Sequence, residues 1–347
     1  MIIDVTGFGW SGSGAVIDLL SEYDNSLIFH SRCELSILHN VDGIIDLESK
    51  LIYKHCRIFD SDIAIKRFLR LVDLAYSKQY NGMISKLCID YINHLIGIRF
   101  VSRSAYDVVY NQERGRLLGR TYNKAINILF ANRVSKQLFK GIADKLRWHN
   151  TNIKFLSYMP QDFMQYTQNL MEDIFALTNK KDTDNLITDH LFSPDNPIIC
   201  FKYIKEQAKC IIVRRDPRDT YILAKKIYKG EIPIPVDTVE NYIWFYRETI
   251  QATKQADSDC ILNVNFEELV YDYDNTKKRI EKFCGLKNHT LALTKFKPSI
   301  SINNTQLFRL YGEYTDDINK IEAQLSNSLF DFDKYRRSDL KNNRKIF

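Results

Sequence analysis

The chain has 347 residues (40.8 kDa), 45% of them hydrophobic, with 13 glycines and 7 prolines. That excludes a collagenous, mucin-like or wholly disordered protein and leaves material for a large core, in about two domains or one large α/β domain. A net charge of +6 suits an anionic ligand and is too small to argue for nucleic acid. The seven cysteines are scattered and form no C-x-x-C pair, which argues against a disulfide scaffold and a zinc ribbon and for a reducing compartment. No stretch approaches the roughly 18 apolar residues of a membrane span. A strand-like run begins at Ile2, where a signal peptide would place its charged start. The expectation is a soluble, cytoplasmic protein.

In chain order, Ile2–Thr6 reads as a buried strand, Gly7–Gly14 as a glycine-rich turn, and Ala15–Glu22 as a helix with Val16, Leu19 and Leu20 on one side. Apolar residues at helical spacing then recur over Ile63–Tyr76, Met83–Ile96, Tyr122–Trp148 and Gln161–Leu177, with few strand signals. Leu186–Thr188, Cys210–Val213 and Cys260–Val264 are short apolar runs that fit central parallel strands. Asp216 with Pro217 opens a helix ending near Gly230, Asp237 caps another through Gln255, and Asp274–Cys284 is a third, closed by Gly285. In the Asp237 helix, Trp244, Phe245 and Tyr246 read as core. Strands alternating with helices predict an α/β fold with a central parallel sheet. The expected division is a core of residues 1–60 and 186–310, a mostly helical insertion at 61–185, and a C-terminal helix with a basic tail at 311–347. The insertion carries Arg99, Arg103, Arg114, Arg116 and Arg120 and is a candidate acceptor-binding subdomain, a solvated arginine face being the plainer reading.

Two constellations bear on chemistry. Gly7-Phe8-Gly9-Trp10-Ser11-Gly12-Ser13-Gly14 lies between strand and helix, where backbone N–H groups and a helix N-terminus cradle an anion. It satisfies G-x-G-x-x-G but lacks the lysine of an ATP-type phosphate loop. The second, Arg214-Arg215-Asp216-Pro217-Arg218-Asp219, brings arginines from a strand end to a helix N-terminus, a natural receptor for a phosphate monoester. It sits in a basic stretch, Lys202 to Gly230, whose alternative reading is a solvated face.

These motifs, in this order, resemble the sulfotransferases that use 3′-phosphoadenosine 5′-phosphosulfate, most of all the bacterial carbohydrate-type members. Gly9–Gly14 matches the family's 5′-phosphosulfate loop, and Arg215-Asp216-Pro217-Arg218-Asp219 its 3′-phosphate motif. Phe266-Glu267-Glu268-Leu269 and Phe283-Cys284-Gly285-Leu286 match two downstream segments. Thr188-Asp189-His190-Leu191-Phe192 falls where the family carries its histidine base. The resemblance covers roughly residues 1–22 and 186–310, and implies a P-loop-like three-layer fold with a large helical insertion.

It further implies that Gly9, Trp10, Ser11, Gly12, Ser13, Gly14, Arg215, Phe266, Ser301 and Asn304 bind the donor nucleotide, Arg215 and the loop at its opposite ends. His190, with Asp189 as neighbour or fallback, would take a proton from a carbohydrate or glycoconjugate hydroxyl, without a metal. Three departures stand out: Trp10 replaces the loop lysine, Leu223 replaces a serine, and an R-K-G run is missing where Ser299, Ser301, Asn303 and Asn304 stand. Arg32 is a candidate substitute cation. The competing classes are a nucleotide-dependent oxidoreductase using Gly7, Gly9 and Gly12, and a non-catalytic nucleotide-binding protein.

Overall fold

The computed structural model describes residues 1–29, 34–54, 60–102, 153–178, 184–229, 234–251 and 258–335. Its main elements are β1 (Ile2–Gly7), α1 (Ser13–Leu20), β2 (Ser26–Ile28), α2 (Asp60–Tyr76), α3 (Met83–Leu95), β3 (Ile98–Val101), β4 (Ile153–Leu156), α4 (Phe163–Ala176) and β5 (Asn185–Asp189). They continue with β6 (Ala208–Arg214), α5 (Pro217–Ile222), α6 (Val239–Phe245), β7 (Ile261–Asn265), α7 (Phe266–Tyr271), α8 (Tyr273–Cys284) and α9 (Thr315–Gln324). The chain divides into two compact units, Met1–Gly43 with Thr167–Phe347, and Ile44–Tyr166.

The first unit holds a five-stranded sheet in the order β2-β5-β1-β6-β7, every neighbouring pair parallel. The predicted strands all join this one sheet. Side chains alternate across a strand, so Ile3, Val5, Ile187, Ile211, Val213 and Val264 line one face. There they pack with Val16, Leu19 and Leu20 of α1 and with Ile280 and Cys284 of α8. Ile2, Leu186, Cys210 and Ile212 line the other face and are also buried, as are Asp4, Thr6 and Thr188. A sheet apolar on both faces must be covered on both, which is the α/β layering the runs implied. Each aliphatic side chain so buried contributes about 1.5–3 kcal/mol.

Asp4 lies in the middle of the central strand with no exposure. It accepts hydrogen bonds from Thr188 Oγ1 (2.8 Å) and from the backbone N–H groups of Leu191 (2.8 Å) and Phe192 (2.9 Å). Burial pushes its pKa up to about 7 against those three donors. The chain leaving β5 is thereby fixed beside the end of β1.

The connections place the ligand edge. From β1 the chain crosses to β2 and returns to β5 on one side of β1, then passes to β6 and β7 on the other, so the direction reverses at β1. Open parallel sheets bind ligands beyond the strands' carboxyl ends at such a reversal. Gly7, Asp189 and Arg214 end the three central strands at that edge.

In the second unit, α2 buries Ile65, Phe68, Val72 and Tyr76, and α3 buries Ile84, Cys88, Tyr91, Ile92 and Leu95. The antiparallel pair β3–β4 was not foreseen. It is tied to α2 through Asp62, which pairs with the buried Lys154 (3.3 Å) and accepts from the Phe155 N–H (3.0 Å). Within the predicted insertion, Tyr122–Trp148 and Arg103, Arg114, Arg116 and Arg120 lie outside the described residues, as does the basic tail from Arg336.

Two local readings are corrected. The cap of α6 is Thr238, whose side chain accepts from the Asn241 N–H at 3.2 Å, while Asp237 holds the Asn241 side chain at 2.8 Å. Trp244 is 66% exposed, whereas Tyr242, Ile243 and Tyr246 are buried. No described helix is long and apolar enough to cross a membrane.

Candidate active site

The loop from β1 to α1 is shaped by backbone constraints that explain its composition. A Cβ on Gly7 would collide with Ser11 Oγ and lie 2.8 Å from the Val213 carbonyl oxygen. Gly12 adopts φ +90°, and a Cβ there would lie 2.6 Å from the Phe266 ring, so only glycine fits without displacement. Trp10 also has a positive φ, 63°, a left-handed conformation that costs a non-glycine residue about 1–2 kcal/mol. Its ring stacks on Tyr228 with centroids 3.6 Å apart. A Cβ on Gly14 would meet nothing within 4 Å outside its own helix among the described residues, leaving the start of α1 approachable.

Arg215, the residue after β6, is 4% exposed. Its guanidinium donates to the Trp10 carbonyl (3.2 Å) and to the Asn304 carbonyl, and lies 4.9 Å from the Phe266 ring centroid. The sequence expectation set Arg215 at the far end of a nucleotide from the loop; in the structure it is bonded to the loop. Burial lowers its pKa, opposed by the charges of Asp219, Glu267 and Asp216.

Around this contact sit buried polar atoms without a hydrogen-bond partner among the described residues: Ser11 Oγ, Trp10 Nε1, Arg215 Nε and Asn304 Oδ1. Buried polar atoms are ordinarily satisfied, and each orphan costs about 1–3 kcal/mol. Ser13 begins α1 beside them. Ser301, the last residue of a short helix (Pro298–Ser301), is half-buried. Phe266 is buried in the core and covers Gly12, which assigns it a packing contact.

The rest of the arginine motif anchors the C-terminal segment. Arg218 pairs with Asp216 (2.7 Å) and Glu322 (2.8 Å), donates to the Phe330 carbonyl (3.0 Å), and lies over the Phe308 ring at 4.2 Å. Asp219, with no exposure, accepts from the N–H groups of Gln306 (2.7 Å), Leu307 (2.6 Å) and Phe308 (3.3 Å). Glu267 accepts from the Asp216 N–H (3.0 Å), and burial pushes its pKa up to about 8.

On the other side of β1, His190 follows β5 with φ 55°. Its Nδ1 lies 2.6 Å from Asp189 Oδ1 and its Nε2 3.0 Å from the Gly7 carbonyl oxygen. Burial alone would lower its pKa, but the hydrogen bond and charge of Asp189, with the charges of Glu34 and Asp4, push it up to about 9. The structure thus brings His190, Asp189 and the root of the loop together. It adds His39, whose Nε2 lies 2.9 Å from the His190 carbonyl oxygen. His39 belongs to no motif, so no spacing in the sequence ties it to β5. Arg32 lies outside the described residues. Arg99 is placed in the second unit, bonded to Asn93.

The site is therefore a glycine loop at the carboxyl edge of a parallel sheet, with a buried arginine on one side and a histidine–aspartate pair on the other. No family model and no curated protein matches the chain. A solved structure, the sulfotransferase domain from the Synechococcus PCC 7002 olefin synthase, is 13% identical over 94% of this chain and 94% of that one, at a TM-score of 0.40. A likeness at that level carries no argument about activity.

Proposed function

We propose that the protein is a sulfotransferase, moving a sulfuryl group from 3′-phosphoadenosine 5′-phosphosulfate to a hydroxyl of a carbohydrate or glycoconjugate. The observation that carries this reading is the group of buried, unpartnered polar atoms around the glycine loop, Ser11 Oγ, Trp10 Nε1, Arg215 Nε and Asn304 Oδ1. Three of them are donors, as an anionic ligand requires. The order of the loop, the histidine and the arginine motif along the chain supports the particular donor, and the half-buried Asp189–His190 pair at the strand edge supports a hydroxyl acceptor.

In this reading the Gly9–Gly14 loop and the first turn of α1 hold the donor's charged groups, and Arg215 locks the loop in shape. The donor supplies an activated sulfur–oxygen bond. The chain's own residues supply orientation and charge stabilisation, and remove one proton. Calorimetry with 3′,5′-adenosine bisphosphate, NAD and ATP tests the nucleotide, and only the bisphosphate is expected to bind tightly. Transfer of radiolabelled sulfate to a panel of oligosaccharides tests the chemistry. Selective binding of NAD overturns the reading in favour of an oxidoreductase, and bisphosphate binding without transfer in favour of a non-catalytic binding protein.

A further inference from the structure

The two histidines at the carboxyl edge of β5 are bonded in ways that fix where their protons sit. His190 faces the Asp189 carboxylate through Nδ1 (2.6 Å) and the Gly7 carbonyl through Nε2 (3.0 Å). Both partners only accept, so both ring nitrogens donate, and a ring with two N–H groups is a cation with no lone pair to receive a proton. His39 has a different environment. Its Nε2 meets the His190 carbonyl (2.9 Å), again an acceptor, which places a proton on Nε2 and leaves Nδ1 as the nitrogen that carries the lone pair. Its loop is pinned to the same strand end by the Leu35 N–H, which donates to the Asp189 carbonyl at 2.7 Å.

We propose that His39, rather than His190, accepts the proton of the attacking hydroxyl, while His190 holds it through its backbone carbonyl and supplies positive charge at the root of the loop. The proposal rests on the sulfuryl-transfer reading of the site. The acceptor O–H bond breaks and its proton passes to His39 Nδ1 as the oxygen bonds sulfur. The bond from sulfur to the donor's phosphate oxygen breaks, its electron pair staying on that oxygen, so atoms and charge balance. The loop from Gly7 to Gly14 contains no lysine or arginine, so the His190 cation opposes negative charge there that the loop itself does not.

The electrostatics agree. Among the described residues, the charged groups that act most strongly on His39 are His190, Asp195 and Glu34. Burial lowers its pKa from 6.5, and the His190 charge lowers it further, against the carbonyl hydrogen bond and the two carboxylates. A neutral His39 beside a charged His190 is the pairing that base catalysis near neutral pH requires.

The test is His39→Gln, whose side-chain amide keeps an N–H for the His190 carbonyl and removes the titratable nitrogen. Turnover should fall roughly 10²–10⁴-fold, the range for a positioned base, with the affinity for 3′,5′-adenosine bisphosphate unchanged. For the unaltered chain, kcat/KM should rise with pH through a limb below 6.5 and fall through one near 9. Retained turnover in His39→Gln, or a rising limb near pH 9, overturns the assignment. A chain that neither binds the bisphosphate nor transfers sulfate fails the functional reading instead. Nitrogen-15 NMR of the two rings still decides the assignment in that case: a neutral His190 or a charged His39 near neutral pH overturns it.

Discussion

Burying a guanidinium costs several kcal/mol unless its donors are met, and Arg215 offsets part of that cost with two carbonyls and the face of Phe266, while its Nε has no partner among the described residues. The same bonds join the loop at Trp10 to the segment at Asn304, so the side chain shapes the pocket as well as charging it. Arg215→Ala is expected to weaken binding of 3′,5′-adenosine bisphosphate by about 1.5–3 kcal/mol, the scale of a lost charged hydrogen-bonding group, measured by calorimetry. Arg215→Lys should not restore it, because an ammonium point charge cannot bridge two carbonyls as the planar fork does. Equal affinity in all three proteins would remove Arg215 from the site. The motif around Arg215 was legible because its residues are contiguous. Its orientation was not, since nothing in the sequence says that Arg218 is held by Asp216 and Glu322 while Arg215 turns to the loop. His39 was illegible for a related reason: its partner is a backbone carbonyl far along the chain, and backbone acceptors leave no trace in residue identity.

At the scale of elements, the helix α5 that follows β6 acts as a clasp for the C-terminal segment. Asp219 receives three backbone N–H groups from residues 306–308, and Asp216 receives the Phe330 N–H at 2.8 Å. Asp219→Asn turns one acceptor oxygen into a donor facing these amides. It should destabilise the protein by about 1–3 kcal/mol. Hydrogen exchange should show Gln306, Leu307 and Phe308 losing protection while the β1–β6 ladder keeps it; uniform loss across the unit would refute a local clasp. Elements of this kind differ in how far the sequence betrays them. The central strands are continuous apolar runs because they are buried on both faces. The pair β3–β4 consists of four-residue strands, largely exposed in β3, with partners separated by a long stretch of chain, so neither alternation nor a tight turn marks it. Trp244 was misplaced although a signal existed. Val239, Tyr242, Ile243, Tyr246 and Ile250 form the buried stripe at helical spacing, and Trp244 falls outside it.

For the whole molecule, four buried ionisable groups shift in the same direction, Glu267, Asp4, Asp219 and His190. Burial raises the Glu267 carboxyl from 4.5 to about 8 and Asp4 from 3.8 to about 7, and burial also raises Asp219. His190, despite burial, is raised from 6.5 to about 9 by Asp189. In each case the folded chain holds a proton that the unfolded chain has already released. Stability from these groups is full below their unfolded values and drains as pH rises through the folded ones, each excess proton costing about 1.4 kcal/mol per pH unit. Glu281 runs the other way. Its burial is outweighed by Lys277 and Tyr23, which lower its pKa, so its contribution is lost in acid. The melting temperature is therefore expected to peak in mildly acidic buffer and to fall steadily from there to about pH 9. Glu267→Gln keeps the acceptor for the Asp216 N–H and cannot ionise. It should melt like the parent in mild acid, above it near pH 9, and show a shallower decline between. Parallel melting curves across that range would mean that Glu267 is ionised in the folded protein and that the loop and arginine motif rest on a charged base.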